Sequence, residues 1–123
     1  MSSLDRELDG AAMVFDLAAE GKEMGDVATG HHTARTLLKS GPLRLTLLTL
    51  APGGTLTEHA SAGPIAVLPL DGTVRFEVNG TTYELAPGRV LTIGAGVRHS
   101  ASSRDGASFL LTVAMPDTAV APR

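Results

Sequence analysis

The sequence predicts a single all-β domain, either a sandwich or a barrel, and three observations support this class. The chain has 123 residues, enough for one hydrophobic core. It contains 14 Gly and 7 Pro, more than a helical bundle tolerates and typical of a chain with many turns. From Thr33 onward, short apolar or alternating runs are separated by turn sequences about every eight to twelve residues, which leaves no room for βαβ crossovers.

Residues 1–32 have the weakest pattern, and we interpret them as an N-terminal arm. Residues 11–19 fit either two turns of helix or a strand that docks on a partner. Gly21, Gly25 and Gly30 then interrupt the chain, which favours an extended arm or a long loop. We expect the apolar residues 13–15 of this arm to contact a second subunit.

The predicted barrel occupies residues 33–116 and is followed by a tail at 117–123. Its first two strands, residues 34–39 and 43–50, flank the turn at 40–42. In the second strand Leu43, Leu45 and Leu47 alternate with polar residues, which predicts a strand with one buried face. Further strands are predicted at 65–70, 89–93, 97–101 and 108–115, each bounded by a Gly-containing turn.

A hairpin is the clearest local prediction. Residues 74–78 alternate apolar with charged side chains, and residues 81–85 resume the strand pattern. Asn79 and Gly80 separate the two runs, and both residue types tolerate positive φ. The pattern predicts a two-residue type I′ turn.

Composition excludes several classes of function. Ten basic and thirteen acidic residues give a formal net charge of −3, so the chain lacks the basic excess typical of nucleic-acid binding or of anionic membranes. The absence of Cys excludes disulfides and thiolate metal sites. The first ten residues are polar, unlike a secretory signal, and no apolar run has the roughly 20 residues of a membrane helix. We therefore expect a cytoplasmic protein.

Two glycine–histidine spacings are similar to the two motifs of the cupins, a family of small jelly-roll barrels. In the first, Gly53 precedes His59 by five intervening residues, and Gly72 closes the motif. In the second, Gly88 precedes Gly94-Ala95-Gly96, and His99 follows after two residues. The resemblance is strong over residues 53–103 and looser over 33–115. It implies a cupin-type jelly-roll barrel of the RmlC-like kind and a homodimer.

The resemblance also implies a metal site, formed in cupins by three His and one Glu. The matching positions here are His59, Ser61, Ile65 and His99, so only two imidazoles remain. A neutral hydroxyl is a poor ligand and an alkyl side chain is none. Glu58 does not substitute, because adjacent strand residues face opposite sides. We expect no metal, or a weakly bound Zn, Fe, Mn or Ni ion on His59 and His99.

The sequence supports two main functional hypotheses, and a ligand sensor or interaction module without chemistry is a third. The first is a small-molecule-binding cupin in which His59, Ser61 and His99 are the few polar groups of an aliphatic pocket. The second is a metal-dependent enzyme, of dioxygenase or isomerase type, that completes its coordination with water or substrate. His31 and His32 offer a missing ligand only if the arm crosses the barrel mouth. Whether the protein is an enzyme stays open, because fold does not fix function.

Overall fold

The structure is a computed structural model that describes residues 12–116, and in this range one helix precedes nine strands. The elements in chain order are α1 (Leu17–Met24), β1 (His32–Ser40), β2 (Leu43–Leu50), β3 (Thr55–His59), β4 (Ile65–Gly72), β5 (Val74–Val78), β6 (Thr81–Leu85), β7 (Leu91–Ile93), β8 (His99–Ser102) and β9 (Ala107–Ala114). The predicted strands are confirmed with shifts of one or two residues at their ends. The outermost parts of the predicted arm and tail, residues 1–11 and 117–123, lie outside the described residues.

The strands form two antiparallel sheets. The five-stranded sheet has the order β1-β2-β9-β4-β7, and the four-stranded sheet has the order β3-β8-β5-β6. Strands that are adjacent in a sheet are mostly distant in sequence, as β4 and β9 are, so the chain passes repeatedly from one sheet to the other. This is the predicted all-β barrel.

The hydrophobic core lies between the inner faces of the two sheets. Phe76 from the four-stranded sheet and Phe109 from the five-stranded sheet meet edge to face, with ring centroids 5.7 Å apart. Aliphatic side chains complete the core, namely Leu48, Leu50, Ile65, Val67, Val74, Leu85 and Ile93 with Ala101 and Ala107. Such burial is the main stabilising contribution of a small barrel with few aromatic residues.

Strand β2 differs from the prediction of one buried face. Leu48 and Leu50 face the core. Leu47 is equally buried, but it lies on the other face of the sheet, where it lines a cavity of about 430 Å³ together with Leu17 of α1. The alternating leucines of β2 therefore mark the outer face, which the helix covers in part. The alternation revealed the period of the strand but not which face meets the core.

Of the segment 11–19, for which a helix or a strand was predicted, residues 12–16 form neither, and helix α1 begins only at Leu17. The Asp16 carboxylate accepts a hydrogen bond from the Ala19 N–H and caps the first turn. Arg35 of β1 forms ion pairs with Glu20 and Glu23, which fasten the helix to the five-stranded sheet. Gly21 lies inside the helix rather than interrupting it, because these contacts offset a propensity cost of roughly 1 kcal/mol. Within residues 12–116 no helix is both long and apolar enough to cross a membrane.

The β5–β6 hairpin is confirmed. Val78 pairs with Thr81, and the turn residues Asn79 and Gly80 have φ of 50° and 82°. Positive φ at both central residues is the property that the Asn-Gly sequence predicts for a type I′ turn.

Candidate functional site

His59 and His99 lie together at one end of the four-stranded sheet. His59 is the last residue of β3 and pairs directly with His99, the first residue of β8. Directly paired residues of antiparallel strands project from the same face, so the two rings become neighbours. Their centroids are 4.4 Å apart and the ring planes meet at 63°. The structure thus brings together the two histidines that the motif spacing selected.

A β-bulge in β3 makes this pairing possible. Leu56 pairs with Ala101, and His59 pairs with His99, so three steps along β3 match two steps along β8. Strict alternation would place Leu56 and His59 on opposite faces of the sheet. The additional residue of the bulge reverses the alternation and returns His59 to the face that His99 occupies.

Main-chain carbonyl groups orient both imidazoles. His59 Nδ1 lies 2.8 Å from the carbonyl oxygen of Thr57, and His99 Nδ1 lies 3.0 Å from that of Val97. A carbonyl oxygen only accepts hydrogen bonds, so each Nδ1 carries the proton and donates it. In the neutral ring the other nitrogen, Nε2, then has a free lone pair.

The surroundings of His99 are apolar. Its side chain is 4% exposed, Val78 pairs with it on β5, and the Phe76 ring centroid lies 6.2 Å from its own. Burial lowers the pKa of His99 below its ordinary value of 6.5; the hydrogen bond to Val97 opposes this shift and the neighbouring His59 adds to it. His99 is therefore held as a neutral imidazole at neutral pH.

Charged neighbours in sequence lie away from the histidine pair. Glu58 Oε1 is 3.3 Å from a guanidinium nitrogen of Arg98, and both side chains are more than half exposed. This agrees with the expectation that Glu58 faces away from His59. The carboxylate adjacent to His59 therefore pairs with an arginine at the surface.

The other two motif positions contribute differently. Strand β3 ends at His59, so Ser61 lies in the connection to β4 rather than on the strand. Its carbonyl accepts a hydrogen bond of 2.8 Å from the Gly96 N–H, which links this connection to the turn before β8. Ile65 is 4% exposed and is part of the hydrophobic core. Because Ser61 is not on a strand, strand alternation does not determine where its hydroxyl points.

The donor set does not fit the metal centre implied by the cupin motifs. Within residues 12–116, no three His, Cys, Asp or Glu side chains converge on one point. His31 and His32 are exposed, and the His31 carbonyl accepts a hydrogen bond from Ala51, at the turn that precedes β3. His59 is at the far end of the same strand. Two imidazoles without a carboxylate leave the charge of a dication uncompensated.

Two cavities described in the structure lie away from the histidine pair. One, of about 720 Å³, lies where β5 begins and is lined by Arg75, Glu84, Arg104 and Asp105 among others. The other is the smaller space beneath α1. Neither is lined by His59, Ser61 or His99, in contrast to the expected aliphatic pocket around them.

Sequence reasoning missed the groups that support the two histidines. The carbonyl groups of Thr57 and Val97 orient the rings, and Phe76 and Val78 form the apolar wall. Main-chain acceptors cannot be predicted from residue type, since every residue has a carbonyl group. Phe76 and Val78 could have been found from the hairpin alternation, once the pairing of β5 with β8 was known.

The comparison with protein families identifies the class of this fold. Residues 46–114 match the family described as the cupin domain, which is more than half of the chain. The protein therefore belongs to the cupin family. No curated protein matches this sequence.

Solved structures agree with this assignment. A conserved protein of unknown function from Streptococcus pyogenes is 26% identical with a TM-score of 0.74, covering 96% of this chain and 98% of its own. A cupin superfamily protein from Desulfitobacterium hafniense is 16% identical with a TM-score of 0.71, covering 94% and 100%. An RmlC-like cupin from Shewanella frigidimarina is 18% identical with a TM-score of 0.67, covering 76% and 84%. The latter two likenesses concern the fold alone.

Proposed function

We propose that this cupin binds a small molecule at the His59–His99 pair, with a metal ion absent or weakly bound. The observation that supports this proposal is the contact of the two rings, whose centroids are 4.4 Å apart, at the end of the four-stranded sheet and next to an apolar core. A few convergent polar groups on an apolar surface are typical of small-molecule sites. Ser61 is the third polar residue of the proposed site, through its place in the adjoining connection.

A metal-dependent enzyme of dioxygenase or isomerase type is the second candidate. It is favoured by the orientation of the two rings, because a carbonyl acceptor at Nδ1 leaves Nε2 available as a ligand. Zn, Fe, Mn and Ni ions all accept imidazole. The weak donor set argues against tight binding, and for this reason the metal-independent proposal comes first.

Metal content and bound small molecules distinguish these candidates. The purified protein is dialysed against a chelator, and its metal content is measured by elemental analysis beside native mass spectrometry. We expect less than one equivalent of metal, and a small-molecule adduct that the double variant His59→Leu with His99→Leu loses. One full equivalent of retained metal would instead favour the metal-dependent enzyme.

We also propose a cytoplasmic homodimer. Val14 is 95% exposed, and Leu43 and Leu68 on the strands of the five-stranded sheet are each 40% exposed. We expect the dimer to join these side chains into one covered apolar patch, since contiguous apolar patches, unlike single exposed residues, mark protein contacts. Light scattering at micromolar concentration tests the proposal: a dimer that dissociates in the variant Val14→Asp supports it, and a monomeric parent protein contradicts it.

A further inference from the structure

We infer that the His59–His99 pair selects uncharged ligands that donate hydrogen bonds, such as alcohols or phenols, and rejects carboxylates. This inference rests on the proposed function and specifies the class of molecule that the site takes.

The selectivity follows from the tautomer that the main chain imposes. The carbonyl groups of Thr57 and Val97 require a proton on Nδ1 of His59 and of His99. Each neutral ring therefore presents Nε2 as an acceptor. Within residues 12–116, neither Nε2 has a hydrogen-bond partner in the structure. The pair thus offers two acceptors to a ligand and no ring N–H donor.

A carboxylate is mismatched with such a pair. Its oxygens only accept hydrogen bonds, so they would face two lone pairs without a proton between them. The closest arginine in sequence, Arg98, is paired with Glu58 at the surface and does not supply the missing positive charge. Beside the apolar surroundings of His99, an anion without a compensating charge or donor is unfavourable.

A hydroxyl group satisfies the same geometry. Its proton can be donated to Nε2, which converts an unused acceptor into a hydrogen bond. The apolar remainder of the ligand then meets the half-buried side chain of Val78, which pairs with His99 from the neighbouring strand. Phenol and benzoate form a matched pair of probes, since both carry the same ring and only phenol carries a donor.

The tautomer is measured first, by long-range ¹H–¹⁵N correlation of the histidine side chains. The spectra are recorded at pH 8, well above the pKa of His99, which burial lowers below 6.5. The variants His59→Gln and His99→Gln identify the resonances of these two residues among the four histidines of the chain. We expect a protonated Nδ1 and an unprotonated Nε2 in both rings. A protonated Nε2 in either ring would overturn the inference.

The probes are then titrated separately at the same pH. Phenol should move the Nε2 resonances of both histidines and bind at least about tenfold more tightly than benzoate, the difference expected for one lost hydrogen bond with its unpaired group. The variant His59→Leu should lose about tenfold in phenol affinity. Since His59 is exposed, we expect this variant to fold as the parent does. The variant His31→Leu is the control and should bind as the parent does.

The outcomes separate the inference from the proposed function. If benzoate moves these resonances and binds as tightly as phenol, the donor selectivity is wrong while the small-molecule site stands. If neither probe moves the resonances at millimolar concentration, both the selectivity and the proposed function are contradicted.

Discussion

The two ends of the four-stranded sheet differ in the chemistry that they present. At one end His59 pairs with His99, next to Val78, and the row carries no charged side chain. At the other end Arg75 and Glu84 pair across β5 and β6 on the outer face. The charged end contains the cavity of about 720 Å³, whereas neither described cavity is at the histidine end.

This difference shows that the volume of a cavity and the character of a site need not coincide. Arg75 and Glu84 satisfy each other and are more than half exposed, so water screens their interaction. The Nε2 atoms of the two histidines lack partners within the described residues, and His99 is almost completely buried. Within residues 12–116 the buried side-chain atom without a partner is Arg44 Nε, so the unpaired Nε2 of His99 is accessible to a ligand. An accessible acceptor beside apolar side chains supports the proposed site more than a wide depression lined by paired charges does.

The largest effect is expected when the histidine end is made to resemble the full cupin metal centre. The double variant Ser61→His with Ile65→Glu should raise the affinity for Zn²⁺ by about 100-fold or more, because it adds an imidazole and the missing negative charge. Isothermal titration with Zn²⁺ measures this gain. The metal-free variant should be less stable than the parent, since Ile65 is a core residue.

A matched control separates charge from shape in this experiment. The variant Ser61→His with Ile65→Gln has a similar side chain at position 65 without the carboxylate, and should gain much less affinity. A folded Ser61→His/Ile65→Glu protein that binds Zn²⁺ no better than the parent would show that these two positions do not face the histidine pair.

The turn beside the histidine end is expected to be the next most sensitive element. Gly80 has φ of 82°, and an added Cβ would meet no atom within 4 Å, so a substitution there acts through backbone strain alone. Gly80→Val should reduce the free energy of unfolding by about 1–3 kcal/mol. Urea denaturation measures the loss, and Gly80→Asn, which tolerates positive φ, should retain most of the stability. Equal stability of Gly80→Val and the parent would contradict the type I′ turn.

The buried histidine should make the free energy of unfolding depend on pH. Because burial lowers the pKa of His99 in the folded state below 6.5, the unfolded chain binds the proton more strongly. This contribution to stability is therefore complete above pH 6.5 and is lost as the pH falls from there through the lowered pKa. The free energy of unfolding of the parent should decrease more between pH 7.5 and 5.5 than that of His99→Gln. Parallel profiles for the two proteins would contradict the lowered pKa.

The smallest effect is expected at the charged end. The Arg75 guanidinium contacts the Glu84 carboxylate through two nitrogens, at 2.7 Å and 2.6 Å, but both side chains are more than half exposed. A double-mutant cycle with Arg75→Ala and Glu84→Ala should give a coupling of about 0.2–1 kcal/mol that shrinks in 1 M NaCl. A larger coupling that salt does not reduce would contradict the screening of this ion pair by water.

The sequence predicted eight of the nine strands in residues 12–116, the Asn79–Gly80 turn and the family resemblance, because period-two alternation and glycine-dependent turns are local properties. Strand β3 was not predicted from its pattern. It also selected His59 and His99, since the spacing of each histidine from its motif glycines is preserved. Each of these features can be recognised from residues that are close together in the sequence.

Tertiary structure alone decided which faces are buried and what the site contains. The leucine alternation of β2 could not indicate the inner face, because the same strand is apolar on both sides and α1 covers one of them. The bulge that brings His59 to His99 depends on the pairing of β3 with β8. The two histidines are 40 residues apart in the sequence. The tautomer of each ring depends on a main-chain carbonyl group. Every residue has such a group, and only the folded structure places it beside the ring.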